Sequence, residues 1–207
     1  MDSPPGAGYW AQARAELADR DPVLARLLAD VPPPPPQRQA DPFQALARAI
    51  VGQQISVRAA DAVWSRLRAA VDPLDPAAVA GLEQEPLRAC GLSARKAAYL
   101  QDLARHCVDG RIDWSTLVHS DDESVVQTLT GVTGIGRWTA EMFLIFNLQR
   151  PDVWPVDDLG LKQAVQVQYG QPERPGRREL TALGETLRPW RSVATWTLWR
   201  SLKPAGS

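Results

Sequence analysis

"VTGIGRWTAEMF", residues 132–143, sets two glycines two positions apart, then Arg137, Trp138 and a run of helical character. A backbone that permissive just before a helix has three uses. It can cradle the phosphates of a nucleotide, grip a nucleic-acid backbone, or make an ordinary tight corner. A dinucleotide cradle needs a third glycine three residues after the second, behind a buried strand. Thr139 stands at that position, and the preceding "SVVQTLT" reads as helix. A phosphate loop of the Walker type needs Gly-Lys-Ser/Thr, and the residues after Gly136 are Arg137 and Trp138. Both cradles fail. What remains is helix, hairpin, helix, with Gly134 and Gly136 both able to take positive φ and let another backbone approach closely. The helix that starts at Arg137 would point free N–H groups and its positive dipole end out of the turn, an arrangement suited to a phosphate oxygen. On geometry alone, anchoring of a DNA backbone and a tight helix–helix corner stay open.

The rest of the chain bounds the choice. At 207 residues, 44% of them hydrophobic, it fits one large domain or two small ones with a real core. No apolar run is long enough to span a membrane, and "MDSPPGAGYW" lacks the pattern of a signal peptide, so an intracellular, cytoplasmic protein is expected. Cys90 and Cys107 form no metal or redox motif and read as buried or half-buried thiols. With His106 and His119 the only histidines, a zinc site is improbable. Net charge is −1, which by itself argues against a strong nucleic-acid binder. Its distribution is uneven: residues 1–126 carry 13 basic and 17 acidic side chains, hence −4, and residues 127–207 carry 10 and 7, hence +3. The basic excess falls in the half that holds the glycine turn.

Alternating β-branched stretches are missing, and Ala, Leu, Arg and Gln dominate, so the sequence predicts an all-α protein. Helices are expected over 21–31, 41–56 (with Asp41 as N-cap and Pro42 in the first turn), 56–71 behind Ser56, and 93–110 behind Ser93. Further helices are expected near 137–148, 158–169, 177–187 and 189–202, with short turns of helix at "DPAAVAGL" and "EQEPLRACGL". The run "PPPPP" at 32–36 reads as an extended connector. The segments "ACGLSARKA" and "VTGIGRWTA" are distantly alike, too weakly to claim a duplication.

Twenty-two residues after Gly136 stands Asp158, in "VWPVDDLGLKQAV". Here the sequence resembles the helix-hairpin-helix DNA glycosylase superfamily, and within it the alkylation-repair branch of 3-methyladenine DNA glycosylase II. The segments that carry the likeness are "DPFQALARAIVGQQIS", "GLSARKAAYL", "LTGVTGIGRWTAEMF", "DVWPVDDLGLKQ" and "RPWRSVATWTLW", in order over about residues 41–202. The resemblance implies a compact two-layer helical array, with residues 1–40 an N-terminal extension and connector. Residues 41–207 would be a glycosylase domain of two subdomains around a DNA-binding cleft, with no additional β-domain before residue 41.

The resemblance also implies the chemistry. Double-stranded DNA with a damaged base would be the partner, bound by a monomer, with the damaged nucleotide flipped out because the reacting bond is inaccessible in the stack. Asp158 aligns with the motif's aspartate, which stabilises the electron-poor sugar and orients water. Asp157 would be a cap or supporting group. Read without the family, both aspartates are ordinary first-turn helix residues, Asp158 pairing with Lys162. Trp138, Met142 and Trp199 match the base pocket, Met142 standing where a relative has tyrosine. Gly134, Ile135, Gly136, Arg137 and Thr139 match the DNA-backbone contacts, and Gln53 and Gln54 of "GQQIS" match the wedge that fills the vacated stack. The carbonyls of Thr130, Val132 and Ile135 would hold a structural Na⁺ or K⁺, and no cofactor is required. Strand-nicking members carry a lysine where this chain has Trp138, so a monofunctional glycosylase is expected, and two cysteines are too few for a four-cysteine iron–sulfur cluster. The expected substrates are 3-methyladenine and 7-methylguanine, already cationic. The alternatives are a non-catalytic DNA-binding protein and a glycosylase for a deaminated or oxidised base.

Overall fold

The computed structural model describes residues 9–32 and 41–202, which form thirteen helices and no strand. They are α1 (Tyr9–Arg20), α2 (Pro22–Asp30), α3 (Pro42–Gly52), α4 (Val57–Ala70), α5 (Pro76–Ala80), α6 (Gln84–Ala89) and α7 (Ala94–Val108). There follow α8 (Trp114–Leu117), α9 (Asp122–Thr130), α10 (Arg137–Phe146), α11 (Leu159–Gln168), α12 (Arg177–Thr186) and α13 (Arg191–Ser201). The all-α expectation is borne out. Of the proline run only Pro32 lies among the described residues, so the extended connector falls outside them, as does Lys203. No helix among the described residues is long and apolar enough to cross a membrane.

Helix starts are written locally. Asp21, Asp41 and Asp75 each precede a proline, and each accepts backbone N–H groups of the first turn through its carboxylate. Ser56, Ser93 and Asp121 cap α4, α7 and α9 in the same way. Each cap is worth about 1 kcal/mol, and proline at the first position gives up an N–H that has no intrahelical partner anyway. Two ends fall short of the sequence expectation. α3 stops at Gly52, because Gln53 turns to ψ 130 and Gln54 to φ 58. α10 stops at Phe146, and Gln149 then takes φ 54. α1 and α8 were not expected from the sequence.

The chain forms two compact units: the described parts of Met1–Arg38 and Leu144–Ser207 make one, and Gln39–Phe143 the other. In the first, α1 and α2 share a core with the C-terminal helices, built from Leu17, Leu24, Leu28, Trp154, Leu161, Leu180, Val193 and Leu198. α1 is tied in by the stacking of Tyr9 on Trp190, ring centroids 5.8 Å apart, and by Trp190 Nε1 donating to Glu16 at 2.8 Å. In the central unit α7 packs against α3, α5 and α6, burying Leu100 and Leu103 among Phe43, Leu46, Ile50 and Leu87. Cys90 is buried and Cys107 half-buried, both reduced. Burial pushes the Cys107 thiol up to about 11, so it is no thiolate at neutral pH.

The hairpin between α9 and α10 is clamped onto α7. Gly134 has φ 88, and a Cβ there would sit 2.2 Å from the Tyr99 ring, so the close approach and the backbone conformation both require glycine. Gly136 does not use that freedom. It has no positive φ, a Cβ there would meet nothing within 4 Å, and its carbonyl accepts the N–H of Ala140 as the first bond of α10. Asp102 Oδ2 accepts the Thr133 N–H at 2.7 Å. Burial raises the Asp102 pKa, but the hydrogen bonds from Thr133 outweigh it and hold the carboxyl below its usual range. The turn in "ACGLSARKA" has the same form: Gly91 at φ 100 precedes buried Leu92 and the capped start of α7. Replacing Gly134 by alanine is expected to lower the unfolding free energy by about 2 kcal/mol or more, and Gly136→Ala by less than about 1 kcal/mol. Denaturant titration of the two variants measures both, and equal effects would contradict the clamp.

Candidate active site

The first turn of α11 carries the residue that the sequence singles out. Asp158 is its N-cap, with φ −69 and ψ 122, and its Oδ1 accepts the Leu161 N–H at 2.5 Å. The same Oδ1 accepts the indole Nε1–H of Trp199 from α13 at 2.7 Å. One carboxylate oxygen is thus fixed by two donors from two helices, and the plane of the carboxylate with it. Gly160 makes room for this: a Cβ on it would lie 3.2 Å from Asp158 Oδ1 and 3.3 Å from the Trp199 ring. The cap role and the functional role therefore do not compete, since the cap is what orients the group. Asp157 is no cap. Its carboxylate pairs with Arg177 at 2.7 Å on the surface.

Trp199 is half-buried, and Phe146 stacks on it with ring centroids 6.1 Å apart and planes inclined by 21°. Phe146 also meets the Trp196 ring edge-on at 6.3 Å, and Arg200 lies over the Trp196 ring at 6.0 Å. Phe146 is 40% exposed, which is unusual for a phenylalanine at a helix end and leaves ring surface available. Sequence reasoning missed it, although the signal was present: Trp138, Met142 and Phe146 are spaced by four and share one face of α10. Trp138, in the first turn of α10, is 50% exposed, and Met142 and Thr139 are half-buried.

In the central unit the expected backbone-binding residues split into two kinds. Gly134, Ile135 and Gly136 form the turn, with Ile135 buried and its N–H donated to the Val132 carbonyl at 3.1 Å. The first-turn amides of α10 have no intrahelical acceptors, so this end carries the positive end of the helix dipole. Arg137 is engaged within the protein. Its guanidinium forks onto Glu123 at 3.0 and 2.7 Å, and its Nε donates to Glu141 at 3.2 Å. The two glutamines also divide. Gln53 donates Nε2–H to the Gly134 carbonyl at 2.9 Å, whereas Gln54 is exposed in the left-handed region.

Residues 47–189 match the HhH-GPD superfamily of base excision DNA repair proteins, which covers both the hairpin and Asp158. The chain belongs to this superfamily. It is 32% identical to DNA-3-methyladenine glycosylase 1 of Schizosaccharomyces pombe over 88% of this chain and 82% of that one. The structure of the Schizosaccharomyces pombe 3-methyladenine DNA glycosylase in complex with abasic DNA superimposes with a TM-score of 0.82, covering 94% of this chain and 98% of that one. A DNA-3-methyladenine glycosidase from Bacillus halodurans gives 0.83 at 33% identity, covering 97% and 89%. The helix-hairpin-helix glycosylase fold expected from the sequence is borne out.

The Arg137 fork generates a pH prediction. Hydrogen bonding from Arg137 holds the Glu123 carboxyl below its ordinary value. A depressed acid contributes stability above its unfolded pKa and loses it as pH falls through the folded value, so the brace fails only in acid. Carboxyl NMR titration is expected to find Glu123 low in the wild-type protein and back in the ordinary range in Arg137→Gln. A Glu123 curve that the substitution leaves unmoved would mean the fork is not made in solution.

Proposed function

We propose that the protein is a monofunctional DNA glycosylase that releases alkylated purines of the 3-methyladenine and 7-methylguanine type by hydrolysis of the N-glycosidic bond. The observation that carries this reading is the Asp158 carboxylate, held by Leu161 and Trp199 and flanked by a stacked aromatic pair. Superfamily membership and the names of the relatives support it. As the base departs, positive charge develops at the anomeric carbon. A preoriented carboxylate stabilises that charge without reorganising and can direct a water onto the sugar. N3- or N7-alkylation makes the purine cationic, so it leaves readily, and stacking on rings such as those of Trp199 and Phe146 is worth about 0.5–2 kcal/mol in cation–π attraction. The only lysines are Lys96, Lys162 and Lys203, and Trp138 follows Arg137 where strand-nicking relatives place theirs. Hydrolysis with water therefore replaces attack by an amine on the sugar.

DNA is gripped, in this reading, by the hairpin amides at Gly134–Gly136 and the first turn of α10, with Thr139 in that turn, and Gln54 enters the vacated stack. The carbonyls of Thr130, Val132 and Ile135 are neutral oxygens suited to a sodium or potassium ion. Val132 has already given one lone pair to Ile135 N–H and keeps the second. Such an ion would stiffen the turn and take no part in bond cleavage.

Single-turnover release from a duplex with one 7-methylguanine tests the assignment. Asp158→Asn is expected to lower the rate by at least about 10³-fold, the size of a lost charge-stabilising group, and to leave undamaged-duplex affinity within a few-fold. Trp199→Phe, which keeps the ring but removes the donor, should cost about tenfold. Full activity in Asp158→Asn would remove the assignment, and duplex binding without release by the wild-type protein would support a non-catalytic binder.

A further inference from the structure

The corner between α3 and α4 is tied to the hairpin across 81 residues of sequence by a single side chain. Gln53 ends α3 in extended conformation, with its own N–H on the Ile50 carbonyl, and its Nε2 reaches the Gly134 carbonyl at 2.9 Å in a part-buried position. The bonded peptide is one of the most constrained in the molecule. Its oxygen is taken by Gln53, its N–H, on Ile135, is taken by the Val132 carbonyl, and Gly134 is pressed against the Tyr99 ring. On the other side of Gln53, Gln54 stands exposed at φ 58, followed by Ile55 at 41% exposure. An open pocket of about 260 Å³ borders it, lined by Val51, Gln53, Gln54, Ile55 and Lys96 among others. Hydrogen bonds hold both sides: Lys96 Nζ donates to the Val51 carbonyl at 2.7 Å before the corner, and Ser56 caps α4 after it. A side chain committed to the hairpin does not also enter the base stack, so the pair of glutamines carries two jobs.

We propose that Gln53 is a positioning residue that couples the wedge corner at Gln54 to the phosphate-gripping hairpin, so that seating the hairpin on the DNA backbone sets the direction in which Gln54 enters the stack. This rests on the function proposed above. With the tie intact, the hairpin and corner move as one body, and the energy of gripping the backbone is available for extruding the nucleotide. Without it, the exposed corner loses its direction while the hairpin, still clamped by Tyr99 and Asp102, binds backbone as before.

The test uses the full chain and three readouts: thermal melting, affinity for undamaged duplex, and extrusion, read from a fluorescent 2-aminopurine beside an abasic-site analogue. Gln53→Leu removes the donor, and Gln53→Glu keeps the shape while facing the Gly134 carbonyl with an acceptor. Both are expected to hold duplex affinity within about threefold and to lower the extrusion equilibrium about tenfold, the size of one part-buried hydrogen bond. Gln54→Ala should reduce extrusion in the wild-type background but change it less than about twofold in Gln53→Leu, because coupled residues are not additive. Multiplicative losses, a parallel fall in duplex affinity and extrusion, or extrusion unchanged in both Gln53 variants would overturn the proposal. Extrusion does not require bond cleavage, so a wild-type protein that releases no alkylated base would sink the proposed function while this test still decided the coupling.

Discussion

A single oxygen atom ends two hydrogen bonds at the start of α11. Asp158 Oδ1 closes the first turn of its own helix through Leu161 N–H and receives the indole N–H of Trp199 from α13. The first bond is local and would form in any helix that starts with aspartate. The second needs the chain to bring together residues 41 positions apart, and Gly160 must lack a side chain for the indole to come that close. A carboxylate fixed this way has lost its rotational freedom before any substrate arrives, so no reorganisation is left to oppose stabilisation of a developing positive charge. The same indole that orients the carboxylate stacks with Phe146, so one side chain joins the charged group to an apolar surface.

The central unit solves a different problem, holding a loop rigid. The hairpin is fixed at three successive residues: Thr133 by the Asp102 carboxylate, Gly134 by the Tyr99 ring and by Gln53, and Ile135 by the Val132 carbonyl and by burial. Arg137 extends the bracing to Glu123 and Glu141. A net charge of −1 fits this economy. Under the proposed function, the grip on a backbone rests on oriented amides and a helix end.

What the sequence made legible was local. Aspartate before proline and serine before an amphipathic run located the helix starts, and Asp158 was a helix start on any reading. The expectation that it is more than a cap came only from its spacing to the hairpin and the likeness to a known family, since nothing in "VDDLGLKQ" distinguishes the two roles. Phe146 lies one turn beyond Met142 on the same face of α10, inside the helix expected over 137–148, but its stacking partner Trp199 is distant in the chain. α1 carried no such cue. Only Ala13 and Leu17 of it are buried, and its anchor is the stack of Tyr9 on Trp190, distant in the chain. Likewise both Gly134 and Gly136 could take positive φ by sequence, and only Gly134 does; besides that backbone conformation, glycine there is required by the Tyr99 ring, a tertiary contact that no turn pattern encodes. The hydrogen bond from Gln53 to the Gly134 carbonyl was hidden for the same reason.

The most direct test of the central claim is a crystal structure of the protein bound to duplex DNA carrying a pyrrolidine abasic nucleotide, whose ring nitrogen places a positive charge at the position of the anomeric carbon. The account predicts that this nitrogen lies within about 4 Å of the Asp158 carboxylate, close enough for direct charge attraction, with Leu161 N–H and Trp199 Nε1 still holding Oδ1. A pyrrolidine nitrogen bound to another group, with Asp158 facing bulk water, would contradict it.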